Sequence, residues 1–172
     1  MADSTQTLIC PACGKEMQKI FVERTNCYID ICTEGCGGIF FDNREYKKFD
    51  ENHENIDEIK KALEGKTFKP VDNTIKRVCP VCGMKMMKNS TSIKGQIIID
   101  ECYKCGGKFL DCNELDKIRD EYKTEAERSQ DIVNYLKSNM GSEFEAMHAH
   151  QQMQQSQQNE GGIFKSMIKK FF

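Results

Sequence analysis

The chain has 172 residues, a formal net charge of −2, 38% hydrophobic and 30% charged residues, and no tryptophan. This apolar content is too small for one large core, and the charged fraction is typical of a solvated, helix-rich surface. No apolar run approaches the ~18 residues that a membrane-spanning helix needs, which argues against a helical membrane protein.

A cysteine pattern occurs twice along the chain. The first copy is Cys-Pro-Ala-Cys-Gly at 10–14 with Cys-Thr-Glu-Gly-Cys-Gly-Gly at 32–38. The second is Cys-Pro-Val-Cys-Gly at 79–83 with Cys-Tyr-Lys-Cys-Gly-Gly at 102–107. Two closely spaced cysteine pairs at this separation form a four-cysteine zinc site. We predict two structural Zn²⁺ ions, one held by Cys10, Cys13, Cys32 and Cys36 and the other by Cys79, Cys82, Cys102 and Cys105.

Ten cysteines are also compatible with a secreted disulfide scaffold. Three features favour zinc: the polar residues 1–7 do not resemble a signal peptide, the C-x-x-C spacing suits thiolate ligation, and Cys27 and Cys112 are left over. Unpaired thiols suit a reducing compartment, so we expect a cytoplasmic protein. We expect both leftover cysteines to be free thiols, although Cys112, at a predicted helix start, has a position that lowers the pKa of a thiol.

The first predicted module spans residues 7–43, after a disordered segment at 1–6. Residues 17–23 and 27–31 read as the strands of a β-hairpin between two zinc knuckles, and 39–41 as a short third strand. The second module, at 74–112, repeats this plan with strands at 84–91, 96–101 and 108–110. We expect the extra residue of the first C-x₃-C pair to loosen its knuckle, and each Gly-Gly step to allow close approach of the backbone to the metal.

Each third strand leads to an Asp followed three residues later by a Glu, which is a capping-box-like helix start. The first helix is predicted at 44–66, and its helically spaced stripe is Tyr46, Phe49, His53, Ile56, Ile59 and Leu63. A linker follows at 67–73. The second helix is predicted at 113–140 and is too long for one small module to cover. We expect it to pack on the first helix, or on a second copy of the chain as a short coiled coil that forms a homodimer.

The C-terminal part of the sequence changes character twice. Residues 141–162 are glutamine-rich and read as a flexible segment. Residues 163–172 place apolar side chains on one helical face and lysines on the other. This pattern suits docking on the protein's own core, on a partner groove, or weakly on an acidic membrane surface.

The motifs argue against catalysis. Four thiolates leave no coordination position for water, and nucleophile-elbow, Walker and zinc-protease motifs are absent. The leading hypothesis is therefore a non-enzymatic adaptor that binds a protein partner. Residues 74–112 carry seven basic and three acidic side chains, so nucleic-acid binding is an alternative. Its basic residues would be Lys85, Lys88, Lys94, Lys104 and Lys108. Thiol or iron redox chemistry is a second alternative, because four cysteines also bind iron.

The two segments Cys-Gly-Gly-Ile-Phe-Phe-Asp-Asn-Arg-Glu and Cys-Gly-Gly-Lys-Phe-Leu-Asp-Cys-Asn-Glu-Leu, each after a Cys-Pro-x-Cys knuckle, resemble one family. It is the TFIIB-like "transcription factor zinc-finger" family of small prokaryotic zinc ribbons. The first copy departs from the family pattern in its C-x₃-C pair and in Tyr46, where leucine is usual. The resemblance implies a small metal-stabilised α+β fold of two tandem zinc ribbons, each followed by a helix, with two zinc ions.

Overall fold

The computed structural model describes residues 6–141. The strands are β1 (Gln18–Val22), β2 (Cys27–Ile31), β3 (Ile39–Phe41), β4 (Met87–Ser90), β5 (Ile98–Glu101) and β6 (Lys108–Leu110). The helices are α1 (Asp57–Leu63), α2 (Glu114–Glu121) and α3 (Glu125–Met140), with a 3₁₀ turn at Tyr46–Lys48. The chain forms two compact units, which meet in sequence between Glu125 and Ala126. The calls on residues 1–5 and on the segments after Gly141 lie outside the described residues.

Each ribbon is an antiparallel hairpin followed by a short third strand. β1 pairs with β2, and β4 pairs with β5. The third strands β3 and β6 then add to the second strand of their own hairpins. The predicted small α+β fold, with two zinc ribbons each followed by a helix, is confirmed.

The two ribbons join into one six-stranded sheet, in the order β1-β2-β3-β6-β5-β4. The joint is the antiparallel pair of third strands, in which Phe40 lies opposite Phe109 and Ile39 lies opposite Leu110. Phe40 and Phe109 occupy the same position of the sequence repeat, so the pairing relates the ribbons by an approximate two-fold axis. The sequence predicts two separate modules, and the shared sheet shows that this prediction is wrong. One sheet built from both copies supports a larger core than either copy alone.

One face of the sheet carries a core to which both copies contribute. Alternate residues of a strand point to opposite faces, so Ile29 and Ile31 lie on this face whereas Asp30 lies on the other. The buried cluster is Val22, Cys27, Ile29, Ile31, Ile39, Phe41, Tyr46, Phe49, Ile56, Ile59, Ile99, Leu110, Leu115 and Ile118. Tyr46 is 6% exposed and Leu115 is 3% exposed. Tyr46 departs from the family pattern, but it occupies a core position as Leu115 does at the equivalent place in the second copy.

The segment after the first ribbon is not one helix at 44–66. It forms the 3₁₀ turn, a polar loop and then the seven-residue α1. The Arg119 guanidinium, from α2, donates hydrogen bonds to the carbonyl oxygens of Phe49 at 2.7 Å, Asn52 at 3.1 Å and Glu54 at 2.7 Å. In a continuous helix these carbonyl groups would accept hydrogen bonds from backbone N–H groups. Because Arg119 of the other copy satisfies them instead, this segment can form a loop. The imidazole of His53, expected on the packed stripe, is 77% exposed.

The predicted helix at 113–140 is likewise divided, at Tyr122–Thr124, into α2 and α3. Thr124 followed by Glu127 is a capping-box pattern, which explains a new helix start at Glu125. α2 contributes Leu115 and Ile118 to the core. Among the described side chains of α3 none is fully buried, and the homodimer through this helix stays a prediction.

Replacing Arg119 tests the contact between α2 and the polar loop. Arg119 is 8% exposed, and Arg119→Met would leave three loop carbonyl groups without their charged donor. We expect the free energy of unfolding to fall by about 2–3 kcal/mol, measured by urea denaturation of the zinc-loaded protein. Lys60→Met, at an exposed position of α1, is the control and should change it little. Equal denaturation midpoints for the two variants would contradict the contact's role.

Candidate metal centres

The first cysteine cluster lies where two loops of the first ribbon meet. Its four sulfur atoms, from Cys10, Cys13, Cys32 and Cys36, all lie within 4.8 Å of one another. The Cys10 and Cys36 Sγ atoms are 3.5 Å apart, and those of Cys13 and Cys32 are 3.4 Å apart. Three of the four residues are buried, and Cys13 is exposed.

The second cluster has the same arrangement. Cys79, Cys82, Cys102 and Cys105 bring their sulfur atoms within 4.8 Å of one another. The Cys79 and Cys105 Sγ atoms are 3.5 Å apart, and those of Cys82 and Cys102 are 3.4 Å apart. Cys82 and Cys105 are partly exposed.

Both clusters fit a zinc ion. With Zn–S bonds of ~2.3 Å, the sulfur atoms of a tetrahedral site lie about 3.8 Å apart, close to the observed spacing. Four soft thiolates are the ligand set of structural zinc. The chain therefore has two structural Zn²⁺ ions, as the sequence predicts. Four protein ligands complete the tetrahedron, which makes each ion a structural cross-link.

The knuckle turns depend on glycine at a defined position. Gly14 and Gly83 have φ angles of 73° and 71°, in the left-handed region where a Cβ is strained. Their N–H groups donate to the carbonyl oxygens of Cys10 and Cys79, both at 2.9 Å. This bond closes each Cys-Pro-x-Cys-Gly turn beneath the metal position.

Hydrogen bonds favour the thiolate form at one cysteine of each cluster, whereas burial raises the pKa of others, such as Cys105. The hydrogen bond from Cys10 lowers the pKa of Cys36 to about 5, against the opposing effect of burial. Burial also opposes ionisation of Cys102, yet the N–H of Cys105 and the Cys82 thiol lower its pKa to about 7. Thiolates are the metal-binding form of cysteine, so these hydrogen bonds favour ligation at Cys36 and Cys102.

The Gly-Gly steps approach the metal ligands as predicted, because the N–H groups of Gly38 and Gly107 hydrogen-bond to the sulfur atoms of Cys36 and Cys105. They also have a second role, in the contact between the two copies. A Cβ added to Gly38 would overlap the Phe109 ring, and one added to Gly107 would lie 2.5 Å from the Phe40 ring. The second glycine of each copy therefore admits the phenylalanine of the other copy. The first glycine, Gly37 or Gly106, adopts a left-handed φ of 74° or 79°.

A further glycine close to the metal ligands is Gly35, in the C-x₃-C loop. A Cβ there would lie 2.6 Å from the Cys32 Sγ and 2.7 Å from the Cys13 Sγ. We expected this knuckle to be loose, but its residues are held by several contacts. The Lys66 ammonium lies 2.6 Å from the Glu34 carboxylate, and Lys15 donates to the Glu34 carbonyl oxygen at 2.7 Å.

The two remaining cysteines lie outside both clusters. Cys27 belongs to the buried core and lies 3.0 Å from the Thr25 hydroxyl. Cys112 is partly buried, and a Cβ on Gly37 would lie 3.0 Å from its sulfur. Burial, followed by the charge of Cys36, raises the pKa of Cys112, so the lowered pKa suggested by its helix start is wrong.

The lysines of the proposed basic surface differ in their surroundings. Lys88 forms an ion pair with Asp100 at 2.9 Å. Lys94 donates to the Glu121 carbonyl oxygen at 2.9 Å and lies 3.9 Å from the centre of the Tyr122 ring. Lys108 pairs with Glu101. Within residues 6–141, the side chains of Lys85 and Lys104 make no hydrogen bond or ion pair, and both residues are exposed.

Sequence reasoning missed Arg77, which is 2% exposed beside the second cluster. Its guanidinium donates to Asp100 at 2.7 Å and to Asp111 at 2.9 Å, and lies 4.9 Å from the centre of the Phe109 ring. The repeat places Leu8 at the equivalent position of the first ribbon. An arginine two residues before a knuckle, where the other copy has leucine, was the available signal.

Comparison with known proteins agrees with this geometry. The family model described as "Transcription factor zinc-finger" matches the chain twice, at residues 9–51 and 78–121. No curated protein and no solved structure matches the chain. Within the described residues, no helix is both long enough and apolar enough to cross a membrane.

Proposed function

Because the chain belongs to the transcription factor zinc-finger family, we propose that it is a non-enzymatic, zinc-stabilised adaptor that binds a protein partner. Both ions have four cysteine ligands, so neither retains an open position for an activated water. This ligand set supports a structural role for zinc. We therefore look for the binding function on the surface of the two ribbons, which the zinc ions hold in shape.

The observation that carries this proposal is the uneven distribution of exposed apolar side chains. Residues 74–112 expose Ile75, Val78, Val81, Met84, Met87, Ile93, Ile98 and Tyr103, whereas residues 7–43 expose Ile9, Phe21 and Tyr28. An excess of exposed apolar side chains on one of two ribbons of the same fold supports an interaction surface on that ribbon. Because both ribbons have the same fold, stability alone does not require this difference.

Nucleic-acid binding is the second candidate, and the excess of basic residues in 74–112 favours it. Its predicted lysines are less available than their number suggests. Lys88, Lys94 and Lys108 are engaged with neighbouring groups, which leaves Lys85 and Lys104 of the set. Phosphate binding draws on many cationic contacts, so we rank a protein partner first.

The test is affinity capture from native lysate with zinc-loaded full-length protein as bait, with and without nuclease treatment. We expect a protein retained at near-stoichiometric amount, unaffected by nuclease. A bait whose zinc ligands are intact but which retains no protein would overturn the proposal. Retention that disappears after nuclease treatment, with steep salt dependence, would replace it with the nucleic-acid function.

A further inference from the structure

Segment 65–73, which connects the two ribbons, contacts the C-x₃-C loop that supplies two ligands of the first zinc ion. The Lys66 ammonium lies 2.6 Å from the Glu34 carboxylate, in the middle of this loop. The Phe68 ring lies against Gly37, since a Cβ on that glycine would be 2.7 Å from the ring. The segment therefore contacts the loop on both sides of its second cysteine.

The same loop lies directly against the sulfur atoms. A Cβ on Gly35 would be 2.6 Å from the Cys32 Sγ and 2.7 Å from the Cys13 Sγ. From the facing knuckle, Lys15 donates to the Glu34 carbonyl oxygen at 2.7 Å. The loop thus covers two of the ligand atoms and is fastened to its surroundings by side chains from two other segments. We call these side chains the latch: Lys15, Lys66 and Phe68.

The loop of the second centre lacks the ammonium contacts of the latch. It is one residue shorter, and Met84 stands at the repeat position of Lys15. Within residues 6–141, the side chains of Tyr103 and Lys104, which form this loop, make no hydrogen bond or ion pair. Tyr103 is 68% exposed. The second loop is therefore held by its backbone turn and by the metal.

Phe68 adds a contact at the first centre to one that both centres share. The three atoms nearest to a Cβ on Gly106 all belong to the Asn43 side chain. At Gly37, the repeat counterpart of Gly106, the sulfur of Cys112 lies at the equivalent place, 3.0 Å from a Cβ. The Phe68 ring is closer still to that Cβ, so the first loop has an additional neighbour from the segment between the ribbons.

The burial of the ligands differs between the centres in the same direction. Three ligands of the first centre are buried, and the sulfur of the fourth, Cys13, lies against Gly35. In the second centre two ligands are buried, whereas Cys82 and Cys105 are partly exposed. The shell around a metal site controls access to it, so a competing ligand reaches the second ion more readily.

We propose that the two zinc ions differ in their rate of exchange. The latch keeps the first ion in place, and the second ion is the one that the chain releases to a competing thiol or chelator. Release requires local opening of a ligand loop, and the contacts of the latch must break before the first loop opens. As an ion leaves, its thiolates regain protons, and zinc keeps its oxidation state. The second centre is thereby the point at which this fold responds to zinc supply.

The test is zinc transfer from the fully loaded, full-length protein to excess pyridylazoresorcinol, followed by absorbance. We expect a fast and a slow phase of equal amplitude. Alkylation with iodoacetamide between the phases, followed by peptide mass spectrometry, identifies the centre that has lost its ion. The cysteines expected to be alkylated first are Cys79, Cys82, Cys102 and Cys105.

The double variant Lys15→Met/Lys66→Met tests the latch. It removes both ammonium contacts to Glu34 and keeps the aliphatic stems. We expect the slow phase to become about fivefold faster or more, and the fast phase to stay unchanged.

The matched control is Lys85→Met/Lys104→Met, which removes two ammonium groups from the second ribbon, where their side chains make no hydrogen bond or ion pair in the part of the chain described. It should leave the slow phase unchanged, and both variants should retain two zinc ions before transfer. Release of both ions in a single phase, earlier alkylation of the first centre, or a slow phase that is the same in the latch variant would each overturn the proposal.

Discussion

Removing both zinc ions with a high-affinity chelator is expected to unfold the whole sheet unit, not only its knuckles. Structural zinc contributes an apparent ~10–16 kcal/mol per site in peptide models. That amount equals or exceeds the ~5–15 kcal/mol by which whole domains are stable. The far-ultraviolet circular dichroism and the near-ultraviolet aromatic signal should both collapse on chelation and return when zinc is restored.

The two sites are expected to depend on each other. Cys10, Cys32 and Cys36 lie in one buried cluster with Cys79 and Cys102 of the other site. Phe40 and Phe109 lie between them in the same cluster. Disrupting the second site with Cys82→Ser/Cys105→Ser should therefore weaken zinc binding at the first, because the phenylalanine pair loses part of its support.

Zinc content by atomic emission spectroscopy, followed during titration with the chelator, measures this coupling. Cys112→Ser is the matched control, since it removes a thiol that belongs to neither cluster, and should leave two zinc ions per chain. A chelated protein that keeps its sheet spectrum would contradict the role of zinc. Native protein that contains iron and absorbs visible light would contradict the metal assignment itself.

The elements that were predicted correctly are those whose causes are local. Ile39–Phe41 and Lys108–Leu110 form strands as predicted, and the cysteine spacing located both clusters. A tetrahedral metal site restricts the positions of its four ligands, so the spacing of the cysteines along the sequence is enough to predict which ones share an ion. The hairpins follow because each must connect two knuckles over a short distance.

The joining of the ribbons depends on contacts between copies, which local patterns do not contain. Phe40 pairs with Phe109 across 69 positions of sequence, and its ring lies against Gly107. The Gly-Gly-x-Phe sequence in each copy is the signal for this contact. Sequence reasoning attributed the glycines to the metal site alone. The helix at 44–66 failed for the same reason, because Arg119 stabilises a loop in the middle of a helically spaced apolar stripe.

Phe40 packs against Gly107 and Phe109 packs against Gly38, and disrupting this contact is the second change for which we expect a large loss of stability. Phe40 and Phe109 are fully buried, and truncating a buried phenylalanine costs about 3–5 kcal/mol. We expect Phe40→Ala to lower the free energy of unfolding by this amount in urea denaturation of the zinc-loaded protein. Gly107→Ala should also destabilise, because its Cβ would lie 2.5 Å from the Phe40 ring and one of the two must move.

A double-mutant cycle separates this contact from a general loss of packing. If the ring of Phe40 is what excludes a Cβ at Gly107, then adding Gly107→Ala to Phe40→Ala should cost much less than adding it to the wild type. Gly95→Ala is the control, since its Cβ would meet nothing within 4 Å and only its φ of 67° opposes the change. Its cost should be the same in both backgrounds. Additive costs for Phe40→Ala and Gly107→Ala would mean that the ring and the glycine do not interact, and that the third strands pair for another reason.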